Sequence, residues 1–500
     1  MNPETEAHVK QPGLASEEFY PTPINIIRSV EYPHMTEGVY LDHSGATIYA
    51  KSLIDAFAEQ MSSNLYGNPH SANRPAERSG NVVDEVREKT LRFLGADPEH
   101  FDLVFVANAT AGIKLVADSL RDLAENTQSG DFWYGYHKDS HTSLVGVREL
   151  TYGHSHCFES DAEVERWLDD PEGQLEQAKK EDLINFHGTM GWVFLLIQHS
   201  PIYFSCVSLY KIFGFPDLGA LIVRKASGHV LTLRRYFGGG TVTMVSVLGG
   251  TWHKIKGRDV VLNPAMRGLR QDDDGHPYEI HDSLEDGTLP FHSILALGEA
   301  INVHLRLYGP MSNVSRHTTC LSKQFYQRLK SLTHANGRPL CHIYTEDDGR
   351  GFGNPRKQGA TIAFNLLDSS GYYIPYSDVE RISNDNRIFL RSGGVCCPGG
   401  LFTALSYEPW QLQRAFSAHH TCGPDGISLI HQLPTGIVRA SLGAMSTRDD
   451  LDIFISFLQK TFVDQGIGRT TKSTKKLDKV VRRTNKDRGS EDTLVSVAFI

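Results

Sequence analysis

Several kinds of sequence material are missing from these 500 residues. No apolar run approaches the roughly 20 residues that crossing a bilayer requires. The longest candidate, Val193–Ile197 (VFLLI), reads as a buried strand. The opening MNPETEAHVKQPG has neither an apolar signal core nor an Arg-rich amphipathic pattern, so the expected location is cytoplasmic. Seven cysteines, odd in number and scattered, build no disulfide framework; each is either buried filler or a chemical group. A basic excess is also missing: 50 Lys+Arg stand against 59 Asp+Glu, a net charge of −9. That balance argues against a general binder of nucleic acid. No internal repeat is visible.

What is present is ordinary globular material, 40% hydrophobic and 22% charged, enough for a full core. Residues 1–39 are Pro-rich and read as an irregular arm that packs onto something larger. Val39–Leu41 is a short apolar strand ending in the polar turn DHSGAT (42–47). Residues 75–94 carry apolar positions at helical spacing behind Pro75, and Gly95-Ala96-Asp97-Pro98 ends that helix. Leu103–Val106 is a strand, followed by the turn ANAT (107–110) and a helix over 111–123. Strand–helix alternation then continues to about residue 300, which predicts a parallel sheet covered by helices. Residues 291–335 read as helical. A smaller α/β unit follows, with strands near 341–345, 359–366 and 388–391 and a last helix over 447–462. Residues 466–488 hold nine Lys/Arg against two Asp and almost no core formers, a disordered tail.

Four places could carry chemistry. The ANAT turn opens a helix whose unpaired backbone N–H groups and positive dipole end, with the Thr110 hydroxyl, suit a phosphate; Thr is equally a routine helix cap. In SLYKIFGFP (208–216) a lysine, Lys211, is flanked by apolar residues and a Gly/Pro turn. Burial there would make its amine nucleophilic, as a Schiff-base lysine requires; a loop lysine at the surface is the plainer alternative. RSGGVCCPGG (391–400) sets Cys396 in a glycine-rich loop close to Arg391, which suits a reactive thiolate, or merely small residues in a turn. In GIVRASLG (436–443) Arg439 interrupts a strand pattern and suits either a fork for a carboxylate or a structural ion pair.

In this order the four resemble the class V aminotransferase and cysteine desulfurase group of pyridoxal-phosphate (PLP) enzymes. More closely, the chain resembles the N-terminal desulfurase domain of fungal molybdenum cofactor sulfurases. The likeness rests on YLDHSGATIY (40–49), NLYGNPHS (64–71), FVANATAGIKLVAD (105–118), DSHTSLVGVRE (139–149), SLYKIFGFP (208–216), FGGGTV (237–242), LEDGTLPF (284–291), RSGGVC (391–396) and VRASLGAMST (438–447). It implies an α/β chain of PLP-dependent transferase fold type I. A large, mostly parallel-sheet PLP domain (40–290) and a linking helix (291–310) would precede a smaller α/β C-terminal domain (311–462), with a basic tail at 463–500. It further implies that Lys211 carries PLP as a Schiff base. Ala109 and Thr110 would hold the phosphate with Ser208 close by, and His141 would stack on the pyridine ring. Gly287 and Thr288 would reach the phosphate of a neighbouring subunit's cofactor, hence a homodimer. Arg439 would bind the carboxylate of L-cysteine, and Cys396, helped by Arg391, would take the sulfur as a persulfide while alanine leaves. Cys397 does not fit the spacing of the reactive thiol. No metal belongs to this set.

Two departures stand out. The family ends a strand between the stacking histidine and the lysine in a run such as Asp-Ala-Ala, whose carboxylate pairs with the pyridine nitrogen. No such run exists here, and the stretch 182–204 (DLINFHGTMGWVFLLIQHSPIYF) is atypical. Asp182 has a tolerable spacing but lacks the preceding apolar strand. The sulfurases also continue into a C-terminal MOSC domain, whereas this sequence stops after the basic tail. The residues present therefore do not imply delivery of sulfur to molybdenum cofactor rather than to a carrier. Alternatives left open are a PLP-dependent lyase or aminotransferase acting on another amino acid, and a catalytically degenerate member of the fold.

Overall fold

The computed structural model describes residues 19–464 apart from 127–131, 152–153, 171–172, 174–203, 229, 257–278, 346, 419 and 422–425. Asp182 and the VFLLI segment thus lie outside the described residues, as does the tail beyond 464. In chain order the strands are β1 (Val39–Tyr40), β2 (Phe101–Val106), β3 (Tyr134–His137), β4 (Ser155–Phe158), β5 (Phe204–Ser208), β6 (Gly219–Arg224), β7 (Val242–Ser246) and β8 (His253–Lys256). After the helices Phe291–Tyr308 and Met311–Ser331 come β9 (Cys341–Ile343), β10 (Thr361–Leu366), β11 (Ile388–Phe389) and β12 (Arg391–Gly393), then β13 (Leu429–Ile430), β14 (Leu433–Pro434) and β15 (Ile437–Ser441). No helix among the described residues is long and apolar enough to cross a membrane.

The helix expected behind Pro75 spans Arg74–Phe93. Asn73 caps it, its side chain accepting from the Ala76 N–H at 3.0 Å, and Gly95 at φ +77° follows its end. The N-terminal arm is less irregular than its prolines suggest. Ile24–Glu31 is a helix that buries Ile27, and Arg28 forks onto Asp450 at 2.7 and 2.9 Å. Pro23 sits just before that helix, where a proline costs nothing.

Order β2-β6-β5 makes a three-stranded sheet in which β6 runs antiparallel to both neighbours, while β3 and β4 pair in parallel. The expectation of parallel strands holds between β2 and β5 but not for β6. The ten residues 209–218, one helical turn included, bring the chain back beside β5, and a connection shorter than a dozen residues suits antiparallel pairing. Burial along β6 is nearly continuous from Gly219 to Val223, which hides the period-two signal of a strand covered on one side only.

The second sheet runs β12-β15-β10-β9, all antiparallel. Its core takes Phe325, Phe364, Val438 and Phe454, and also Val39 and Leu41 from the N-terminal side. β1 lies parallel to β11, with Val39 opposite Ile388 and Tyr40 opposite Phe389. A further core joins Leu53, Leu103, Leu209 and Ala220 to the apolar face of Phe291–Tyr308 and to Met445. The polar turn 42–47 therefore emerges between these two cores.

Candidate active site

At the end of β2, Asn108 rather than Thr110 caps the helix Ala109–Asn126. Its side chain accepts from the Ala111 N–H at 3.0 Å, and Ser208 Oγ accepts from the Ala109 N–H at 3.1 Å. Thr110 is left exposed, its hydroxyl 2.8 Å from Ser143 Oγ. Two hydroxyls thus stand together at a helix N-terminus, a donor set suited to an anion.

His141 caps the short helix Thr142–Val145, with its Nδ1 accepting from the Ser143 N–H at 3.1 Å. An accepting Nδ1 assigns the proton of the neutral ring to Nε2. Partial burial, with the Lys211 and Arg391 cations nearby, pushes this imidazole below its ordinary value, so it stays neutral at pH 7.

Lys211 rides on the one-turn helix Tyr210–Phe213 that follows β5, anchored on either side by buried Leu209 and Phe213. Gly214, at φ +79°, closes the turn. A Cβ there would lie 2.4 Å from the Tyr49 backbone nitrogen, so only glycine lets the 47–49 segment pass this close. The lysine itself is exposed, which corrects the expectation that burial activates its amine. Its apolar neighbours are buried in its place, because in one helical turn they face the core and it faces out. A cavity of about 380 Å³ opens beside it, shared with His43, Thr361, Met445 and His304.

The remaining groups come from the second sheet. Arg391 on β12 and Arg439 on β15 are direct partners across the antiparallel ladder. Arg391 donates to Cys396 Sγ at 3.2 Å, and Arg439 donates to Asp42 Oδ1 at 2.7 Å. The loop that carries the thiol is docked on the His141 turn. The Thr142 N–H donates to the Cys396 carbonyl at 3.0 Å, and the Cys397 thiol donates to the Asp139 carbonyl at 3.1 Å. Gly399 and Gly400 permit the approach, since a Cβ on Gly399 would lie 2.3 Å from the Lys138 carbonyl. Val395 and Cys396 sit at φ +44° and +60°, a conformation that a β-branched residue adopts only under constraint. Burial raises the Cys397 thiol above its ordinary value, which disfavours its thiolate.

Gly287 and Thr288 belong to a different cluster. The Gly287 N–H donates to the Gly239 carbonyl at 2.7 Å, and Asp286 is forked by Arg234 at 2.7 and 2.8 Å. A Cβ on Gly240 would lie 3.1 Å from His70. The segments 64–71, 237–242 and 284–291 therefore meet each other, while Thr288 is exposed.

Three participants escaped sequence reading. Asn108 stood two residues before Thr110, for which a phosphate contact and a helix cap were both open, and Ser143 carried no signal beyond its place after His141. Asp42 lay in a turn noted only as polar; what gives it meaning is a partner, Arg439, 397 residues away.

Comparison with known proteins bears on this geometry. Residues 39–154 match the aminotransferase class-V family. Over 478 residues the chain is 44% identical to a molybdenum cofactor sulfurase from Aspergillus niger, covering 89% of this chain and 55% of that protein. Over 490 residues it is 42% identical to one from Botryotinia fuckeliana, covering 90% and 57%. The chain thus spans about half the length of the curated relatives it matches. Among solved structures, the apo cysteine desulfurase from Thermococcus onnurineus superposes with a TM-score of 0.60 at 17% identity, and the cysteine desulfurase CsdA from Escherichia coli with 0.53 at 15%. Each superposition covers 88% of this chain and 98% of the other. At such identities the likeness concerns the fold, which is that of the cysteine desulfurases. The helix-start, imidazole, amine and thiol segments are assembled in that fold; residues 39–154 match the aminotransferase class-V family, and the chain is similar to one part of the fungal molybdenum cofactor sulfurases.

Proposed function

We propose that the protein is a PLP-dependent L-cysteine desulfurase of the molybdenum cofactor sulfurase type, working as a homodimer. The reading rests above all on the docking of the Cys396 loop against the His141 turn, which brings a thiol, a neutral imidazole and the Arg391 guanidinium together. The donor set fits the cofactor at its phosphate end: a capped helix start with the Thr110, Ser143 and Ser208 hydroxyls around it. It fits the ring end through an imidazole next to a primary amine.

In this reading Lys211 holds the cofactor covalently, Ala109, Thr110 and Ser208 bind its phosphate, and His141 covers the ring. Gly287 and Thr288 reach the cofactor of the neighbouring subunit. Bound PLP supplies an electron sink that weakens bonds at the substrate's α- and β-carbons. Arg439 receives the carboxylate of cysteine. Cys396 takes the substrate sulfur as a persulfide, with Arg391 stabilising the negative charge on the attacking sulfur, and alanine is the organic product. The sulfur then passes to an acceptor, molybdenum cofactor or a carrier, in the cytoplasm.

The test is direct. PLP-loaded protein incubated with L-cysteine should form alanine and a persulfide. Cys396→Ser should keep the cofactor's absorbance and lose the persulfide. Sulfur transfer by that variant would remove Cys396 from the role, and strict inactivity toward cysteine alongside turnover of another amino acid would remove the desulfurase reading.

A further inference from the structure

Arg28, Arg87 and Arg234 each grip a carboxylate with two parallel bonds: Asp450 at 2.7 and 2.9 Å, Glu285 at 2.7 and 2.9 Å, and Asp286 at 2.7 and 2.8 Å. Arg439 does not. It meets Asp42 through one nitrogen only, Nη2 to Oδ1 at 2.7 Å. Its Nε–H, like that of Arg87, is buried without a partner among the described residues, so the single-point grip is what sets Arg439 apart. A guanidinium offers a fork matched to a carboxylate, and a buried unpaired donor is a cost that a two-point ligand would relieve.

Asp42 is not free to adjust. Its carbonyl accepts from the Gly45 N–H at 2.9 Å, its backbone bridges to Ser441, and the turn is so tight that a Cβ on Gly45 would lie 2.4 Å from Asp42 Oδ2. The adjustable partner is the long arginine side chain. Charge favours a second anion as well. Arg391 and Arg439 project from directly paired positions, hence from one face of the sheet, and Asp42 offsets only one of the two charges.

We infer that Asp42 is an internal competitor for the carboxylate subsite at Arg439: it holds the guanidinium by a single point, and an amino-acid ligand must draw the arginine away from it. This rests on the proposed reading of Arg439 as the carboxylate binder. Asp42 thereby sets a lower affinity for amino acids than the arginine alone would give.

The experiment measures dissociation constants for L-alanine and L-alaninamide on the full-length, PLP-loaded protein, as wild type and as Asp42→Asn and Asp42→Ser. Removing the competing charge should tighten L-alanine binding about tenfold, the equivalent of one charge-assisted contact, and leave L-alaninamide unchanged. Two substitutions are used so that one that fails to fold does not leave the question open. Unchanged or weaker L-alanine binding overturns the inference and makes Asp42 a support that positions Arg439. Equal binding of alanine and alaninamide by the wild type, or binding of neither, overturns it as well. Alanine formation from cysteine is assayed separately. Tighter binding in the variants without any wild-type desulfuration would sink the functional reading and leave the competitor in place.

Discussion

Arg391 and Arg439 are direct partners on β12 and β15, yet their guanidiniums end on opposite kinds of group, one on the Cys396 sulfur and the other on the Asp42 carboxylate. Like charges placed directly across a ladder repel. The arrangement persists because each cation has its own electron-rich partner, so the two arginines can be separated by mutation.

Arg391→Ala removes the donor to Cys396 Sγ. Alkylation of Cys396 by iodoacetamide, followed by mass spectrometry at pH 7, should slow by roughly tenfold, the size of one hydrogen bond to a charged group. Arg391→Lys should recover part of the rate, because a lysine restores charge without the fork. An unchanged rate in Arg391→Ala would mean that the 3.2 Å contact carries no weight.

Gly399→Ala should undock the thiol loop, since the added Cβ meets the Lys138 carbonyl at 2.3 Å. Both residues are half-buried and the contact joins the turn after β3 to the first turn of a short helix, so the midpoint of unfolding should shift little while Cys396 alkylation and alanine formation both change. A large loss of stability with unaltered reactivity would contradict this.

Glu285→Gln strips the counter-charge from Arg87, whose side chain is 7% exposed, and weakens the acceptor of the Phe105 N–H. A buried arginine left unpaired costs about 3–5 kcal/mol. Urea unfolding should register that loss, and pairing Arg87→Met with Glu285→Leu should recover most of it.

Burial pushes His304 down to about 4, so the folded protein keeps it neutral where the unfolded chain would take a proton. The unfolded state binds the extra proton between about pH 6.5 and 4, so stability falls as pH falls through that window. Between pH 7 and pH 5 this one group accounts for roughly 2 kcal/mol. His43, also pushed to about 4 by burial, acts in the same direction. His304→Leu should flatten the acid limb of stability against pH by about that amount, measured by urea midpoints at both pH values. His281 has the opposite sign. Although burial opposes it, the hydrogen bond to Asp102 holds it above its ordinary value, so its contribution is complete below about pH 6.5 and is lost as pH rises through the raised value.

Local chemistry made much of this legible in sequence. Pro75 and Gly95 bracket a helix by fixed backbone preferences, and the last helix, expected over 447–462, runs Arg448–Phe462. The Arg391–Cys396 relationship was readable because five residues separate the two. What stayed hidden depends on distance along the chain. β1 finds its partner in β11, Asp42 finds Arg439, and neither leaves a periodic trace. Lys211 shows a related limit: apolar neighbours suggested burial, but in one helical turn those neighbours face the core precisely because the lysine does not. The antiparallel course of β6 was hidden by its uniform burial.

The β1–β11 pairing also has a consequence in time. Val39 leaves the ribosome about 350 residues before Ile388, an interval of roughly 20–70 s at ordinary synthesis rates. Val39 and Leu41 belong to a core whose other members begin at Leu321, so for most of that period their packing partners have not been made. The pairing of β1 therefore closes only after nearly four fifths of the chain has been made, which sets the joining of the N-terminal segment to the C-terminal core among the last steps of folding during synthesis.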